Sequence, residues 1–328
     1  MNSESEMTVR IIALITGLFL SAPMGNVTAE PEADAPYPCR PITKPIDIDG
    51  KLFEDDWMRA QVVTEFTGTT SALGTPPLKS ELRFLHDTNA LYVGFRAFSK
   101  DLSRLVCEYR KDGDSVWRDD GIELFVQPRL SRRSQWQICI NIGPYVTVFN
   151  PRREQSARGR VVEDVAVGQE KNAWTMEAKI PWRSIGGSSS TGKPIGISVM
   201  RDIMELGFRG FYAWGNIYRP DQSKLMICTG QENLKAYKKR LSRFLTHSER
   251  LLKVVQEGSN GLEKNKLPDG LEDDLKQTTT TIASSQKAID ALTLDPPGPA
   301  HELSQNLQGM LENLRRRTSQ LKFAAFFD

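Results

Sequence analysis

Trp117-Arg118-Asp119-Asp120-Gly121-Ile122-Glu123-Leu124-Phe125-Val126 is the run that decides the fold. From Gly121, the apolar Ile122, Leu124 and Val126 alternate with Glu123, Phe125 and Gln127, which is the period of a strand with one buried face. Glu123 therefore points away from the core that its neighbours build. An indole at the strand mouth and a carboxylate fixed on the strand suit sugar recognition. The ring covers an apolar pyranose face, and the acid accepts hydrogen bonds from hydroxyls.

Outward from this run the chain reads as more short strands. Residues 79–85 and 90–97 alternate around His86-Asp87-Thr88-Asn89, a hairpin turn. In 135–141, Trp136, Ile138 and Ile140 face one way and Gln137, Cys139 and Asn141 the other. Further strands are expected at 145–149, 161–167, 173–182, 194–202, 210–218 and 226–229. Gly and Pro punctuate them and no amphipathic helices intervene, so the expected class is mainly β, an antiparallel β-sandwich over 44–230, and not a βαβ fold. At residue 231 the composition switches to Leu, Lys, Glu, Gln and Ser at helical spacing. Three helices are expected over 231–328, broken at Gly258-Ser259-Asn260-Gly261 and at Pro296-Pro297-Gly298-Pro299 and forming a hairpin or three-helix bundle. Their apolar stripes are thin, which leaves room for a protein partner or self-association.

The N-terminus has a polar segment ending at Arg10, an apolar run over 11–23 and Val27-Thr28-Ala29, a small-residue cleavage pattern. It reads as a secretory signal peptide over 1–29, with a Pro- and Ala-rich linker over 30–43, and predicts a periplasmic or secreted product. Lys+Arg 43 against Asp+Glu 41 leaves no electrostatic footprint for nucleic acid. Cys39, Cys107, Cys139 and Cys228 form no CxxC pair, so a zinc site is not expected. Disulfides fit an exported chain with all pairings open, a Cys39–Cys228 clasp between the two ends of the first domain being favoured.

Ile48-Asp49-Gly50 with Trp57, the turn before Leu91-Tyr92-Val93, the run Asp119–Val126 and Trp174-Thr175-Met176-Glu177-Ala178-Lys179-Ile180-Pro181-Trp182 together resemble carbohydrate-binding module family 9. That family is similar to the wider DOMON-type β-sandwiches, of immunoglobulin- or jelly-roll-like build. The resemblance covers 44 to about 230 and implies a non-catalytic domain that holds a reducing-end sugar between two tryptophans. It implies Trp117 as the first stacking ring, Trp214 as the second by order, and Glu123 as the sugar-binding glutamate. Gln137 and Asn141 are similar to the polar face of the neighbouring strand, and Arg201 to an arginine near the end of the sandwich. Cys139 departs from the pattern where a larger polar side chain would serve a sugar, and His86 stands in place of an acid.

Other chemistries find less in the residues. Glycoside hydrolysis needs two carboxyls about 5–10 Å apart across a cleft, and Glu123 has no evident opposite number. His86, His247 and His301 lie in no Ser or Cys constellation, so nucleophilic catalysis is not expected. No cofactor is expected, although Asp49, Asp55, Asp119 and Asp120 are candidate ligands for structural calcium. Two alternatives stand beside sugar binding. One is haem b and electron transfer, for which His86 sits in a turn and His247 and His301 in the helical region, leaving Met176, Met200, Met204 and Met226 as the axial candidates within the sandwich. The other is an interaction module without a working pocket, its helices docking a partner.

Overall fold

The computed structural model describes residues 35–326 apart from 158, 160, 190–191, 206, 208 and 261–266, so the expected signal peptide lies outside the described residues. In chain order come β1 (Tyr37–Pro41), α1 (Asp55–Arg59), β2 (Thr67–Gly68), β3 (Ser80–His86), β4 (Ala90–Phe98), β5 (Gly121–Gln127), β6 (Trp136–Asn141) and β7 (Val146–Phe149). There follow β8 (Gln155–Ala157), β9 (Asp164–Gln169), β10 (Ala173–Pro181), β11 (Ile195–Ile203), β12 (Gly210–Trp214), β13 (Lys224–Cys228), α2 (Gln231–Asn260), α3 (Leu271–Ala291) and α4 (Gly298–Phe326).

The strands form one curled sheet in the order β8-β7-β6-β5-β11-β13-β1-β3-β4-β10-β9, with β12 beside β11 and β2 beside β12. Each half is antiparallel within itself, and the halves face one another across a shared core. Leu82, Phe84, Phe95, Trp174 and Met176 from one half meet Ile122, Leu124, Ile138, Val199 and Trp214 from the other. The expected antiparallel sandwich is corrected at the join. There β1 runs parallel to both neighbours, with Tyr37, Pro38 and Cys39 opposite Met226, Ile227 and Cys228, and Arg40 and Pro41 opposite Leu85 and His86. Mainly β holds, but the sheet is mixed.

The same strand corrects the expected linker over residues 37–41. Pro38 and Pro41 suggest loop chemistry, since neither can donate to a ladder. A strand that changes partner halfway asks little of those donors. Its ends are tied by Thr229 N to Cys39 O at 2.8 Å and by Ile42 N to His86 O at 2.9 Å. Tyr37 anchors it, its hydroxyl donating to Gln61 O at 2.6 Å and accepting from Phe84 N at 3.0 Å. Cys39 and Cys228 face each other in register as free, buried thiols, and burial beside its neighbour pushes the Cys39 thiol up.

Three of the motifs meet at one carboxylate on the outer side of β10. Glu177 Oε1 accepts from Trp57 Nε1 at 2.8 Å, and Oε2 accepts from Gly50 N at 2.8 Å and Asp49 N at 3.1 Å. Thr175 Oγ1 donates to Gly50 O at 2.5 Å. Trp57 is fully buried over Gly94, where a Cβ would stand 2.9 Å from the indole, and packs with Leu52, Leu85 and Tyr92 in a small second core. Burial pushes the Glu177 carboxyl up to about 7 against the pull of its three donors. Asp49-Gly50, Trp57 and Glu177 are thus a structural clasp.

α2 starts at Gln231, and its stripe Tyr237, Leu241 and Leu245 packs with Ile227 of β13, Ile289 of α3 and Ala300 and Leu307 of α4. The thin stripes cover one another within the chain. Thr279, Thr280 and Thr281 return their hydroxyls to the carbonyls of Leu275, Lys276 and Gln277, so the polar run is satisfied along the helix. Among the described residues no helix is long and apolar enough to cross a membrane.

Candidate functional site

Antiparallel register puts paired residues on one side of a sheet, and on β5 and its neighbours it separates core from outer face. Glu123 stands opposite Cys139 on β6 and Met200 on β11; Gln137 stands opposite Phe125 and Phe149. Trp117, in a single 3-10 turn before β5, is half-buried and lays its ring 5.2 Å from that of Phe149 at 59°. Beside this aromatic pair runs a polar row. Gln137 Nε2 donates to Glu123 Oε2 at 2.5 Å, while Gln137 Oε1 accepts from Arg153 Nη1 at 3.0 Å. Arg153 Nη2 continues the row to Gln135 Oε1 at 3.0 Å. The structure therefore brings Trp117, Gln137 and Glu123 together.

Within the row the residues differ in access. Gln137 is half-buried and Arg153 exposed, but Glu123 is only 4% exposed, which places it behind Gln137 as the group that fixes the amide's orientation. Burial raises the Glu123 carboxyl above its ordinary range, against the opposing pull of Gln137 and Arg209. Asp202 lies on the same face, opposite Gly121. It is 1% exposed, neither oxygen has a hydrogen-bond donor, and burial together with the neighbouring Glu123 pushes its carboxyl well up. Two acids side by side under a dry surface favour sharing protons over carrying two charges.

The remaining expected site residues are placed elsewhere, and three expectations are corrected. Trp214 alternates with Tyr212 into the core, 8% exposed, its ring 6.1 Å from Tyr37 and 6.2 Å from Phe84. It is on the opposite side of the sheet from Glu123 and cannot be the second stacking ring. Arg201 also points inward, 1% exposed, donating to Lys79 O at 2.9 Å and Phe98 O at 2.8 Å and standing 3.6 Å from Glu205. It ties the two sheet halves together.

Asn141 has the outward direction but no free capacity. Its Nδ2 donates to Tyr109 O at 2.7 Å and Asp119 Oδ2 at 2.8 Å, and its Oδ1 accepts from Gly143 N at 3.1 Å and Tyr145 N at 3.0 Å. It is fully buried, a turn-organising residue.

Of the candidate calcium ligands, Asp119 and Asp120 are spent in the same manner. Asp119 takes the backbone N–H groups of Glu108 and Tyr109, and Asp120 those of Val106 and Met204. Asp49 pairs with Lys51 at 2.6 Å, and Asp55 is exposed in the first turn of α1. Among the described residues no group of three or more His, Cys, Asp or Glu could hold a metal. Of the methionines named for haem, Met176 and Met226 are fully buried in the core, and Met200 and Met204 are buried as well; the ring nitrogens of His86 face the carbonyls of Asp87 and Thr229.

The residues not anticipated are Phe149, Arg153, Asp202, Arg209 and Phe211. Alternation was sufficient to find Asp202, because Val199 and Arg201 face inward and so Met200 and Asp202 face outward. Arg153 sits in the β7–β8 turn at φ 66° and had no periodic signal.

With this geometry in hand, comparison with known proteins is informative for the sheet. Residues 48–207 match the family model described as "Carbohydrate family 9 binding domain-like". A family 9 carbohydrate-binding module from Caldicellulosiruptor kristjanssonii solved with cellotriose is 15% identical, with a TM-score of 0.46 over 59% of this chain and 94% of that one. One from the same organism solved with glucose is 15% identical, with a TM-score of 0.41 over 60% and 95%. No curated protein matches the chain. The clasp at Glu177 and the strand that follows Trp117 both lie inside the matched span, and residues 48–207 of this chain form a domain like carbohydrate-binding module family 9.

Proposed function

We propose that the outer face of β6 and β7, together with Trp117 at the mouth of β5, binds the terminal sugar of an oligo- or polysaccharide, without catalysis. One observation carries the reading. The half-buried Trp117–Phe149 pair stands beside Gln137 and Arg153, an apolar platform flanked by hydroxyl partners. A pyranose ring packs its C–H face on Trp117, Gln137 and Arg153 meet its hydroxyls, and Glu123 holds the amide from beneath. The family match over 48–207 supports this role. Stacking uses one tryptophan together with Phe149, since Trp214 belongs to the core. The expected leader supports export, so the glycan is met outside the cytoplasm, and the helices leave a surface for a partner or a second copy.

The test is calorimetry and tryptophan fluorescence of the mature protein against neutral oligosaccharides, each with its reduced alditol. Saturable binding lost with the alditol marks recognition of the reducing end. Removing a stacking ring costs about 1.4 kcal/mol or more, so Trp117→Ala weakens binding about tenfold or more. Undiminished affinity in a folded Trp117→Ala variant refutes the site.

A further inference from the structure

Arginines crowd the rim of this face. Arg118 follows Trp117 directly; Arg152 and Arg153 form the turn after Phe149; Arg209 leads into β12, its guanidinium 5.5 Å from the centre of the Phe211 ring and close enough to act on Glu123 and Asp202. All four are exposed. Among the described residues Arg118 touches a hydroxyl, Tyr109 OH at 3.4 Å, and Arg153 the two glutamine oxygens. Among the described residues none of the four has a carboxylate within ion-pair distance, whereas Arg83, Arg96, Arg201, Arg219 and Arg317 elsewhere do.

The acids nearby are buried or stand apart from these arginines. Asp119 and Asp120 are buried and hold backbone N–H groups. Glu108, Asp114 and Glu154 are exposed carboxylates, but among the described residues none stands within ion-pair distance of the four arginines. Glu123 and Asp202 lie beneath the surface, where burial favours their neutral forms. A chain of net charge +2 thus concentrates unpaired guanidinium groups around one aromatic platform. Guanidinium presents a planar fork of donors that fits carboxylate or sulfate oxygens, and clustered like charges attract an anionic ligand more strongly than a neutral one.

We infer that this face selects saccharides bearing an anionic group, a carboxylate or a sulfate, next to the ring that stacks on Trp117. The inference rests on the sugar-binding reading above and names its substrate class.

The experiment titrates the full chain with cellotriose, its C6-oxidised glucuronate counterpart and its 6-O-sulfated counterpart. Expected is an affinity for the anionic ligands about tenfold or more above cellotriose at about 50 mM salt, contracting to about twofold at about 500 mM as the charges are screened. The preferred anion identifies the group recognised. The Arg118→Gln/Arg152→Gln double variant, or Arg152→Gln alone if circular dichroism shows the double variant misfolded, brings the anionic-to-neutral ratio toward one. Equal affinities, or a preference unmoved by salt and by these variants, overturn the inference and leave the sugar reading standing. No binding of any of the three overturns both.

Discussion

Gly50 is the position at which the clasp is most open to a decisive perturbation. Its φ of +84° already disfavours any side chain, at roughly 1–2 kcal/mol for alanine. A Cβ there would also stand 2.6 Å from Gly168 N and 2.7 Å from Val167 C, and backbone cannot swing aside. The Asp49–Gly50 turn must lift from β9, and Glu177 loses two N–H donors. Hydrogen bonds to a charged group contribute about 1.5–3 kcal/mol each. Gly50→Ala should therefore destabilise by about 4–8 kcal/mol, enough to consume much of a typical domain's stability. Gly74 has φ +58° with nothing within 4 Å of its Cβ, so Gly74→Ala carries the backbone cost alone, about 1 kcal/mol. Urea unfolding followed by tryptophan fluorescence measures both variants. If the two cost the same within about 1 kcal/mol, the clasp is not what Gly50 serves.

Two further outcomes follow from the side chains. Glu177 titrates near 7 when folded and near 4.5 when unfolded, so the native state holds the proton more tightly; its contribution is full below 4.5 and is lost as pH rises through about 7. The urea midpoint of the wild type should fall relative to Glu177→Gln across that window, and a constant difference from pH 4.5 to 8 would contradict the carboxyl's elevated value. Trp214→Phe shrinks a core side chain and should cost about 1–3 kcal/mol while leaving saccharide affinity within about twofold. A large affinity loss at unchanged stability would return Trp214 to the binding face.

Where burial falls on one face of a strand, the chain announces it. Ile122, Leu124 and Val126 alternate because the core lies on one side of β5, and the hairpin between β3 and β4 follows from the same rule. Order along the chain misplaces Trp214 and Arg201, whereas parity with Tyr212 and Val199 points both inward. Asn141 shows a different limit. Its direction was legible, but its availability depended on four partners spread from Tyr109 to Tyr145, none local enough to leave a periodic trace. Arg153 meets Gln137 from a turn with left-handed backbone, which leaves no periodic trace, and two prolines hide β1, since their missing donors matter little in a strand that divides its pairing.

That divided pairing bears on how the protein reaches its native state. Tyr37 meets Met226 about 190 residues downstream, so the seam between the sheet halves closes only when almost the whole β region has been made. Each half pairs through neighbouring hairpins, whereas the seam is a long-range encounter whose loop entropy is paid before any contact rewards it, so closure is expected to be slower than the hairpins. Until then β3 and β13 stand as bare edges on apolar sheets, the arrangement that invites pairing with another molecule. A fragment cut to residues 48–207 would lack both β1 and β13 and keep the β3 edge open permanently.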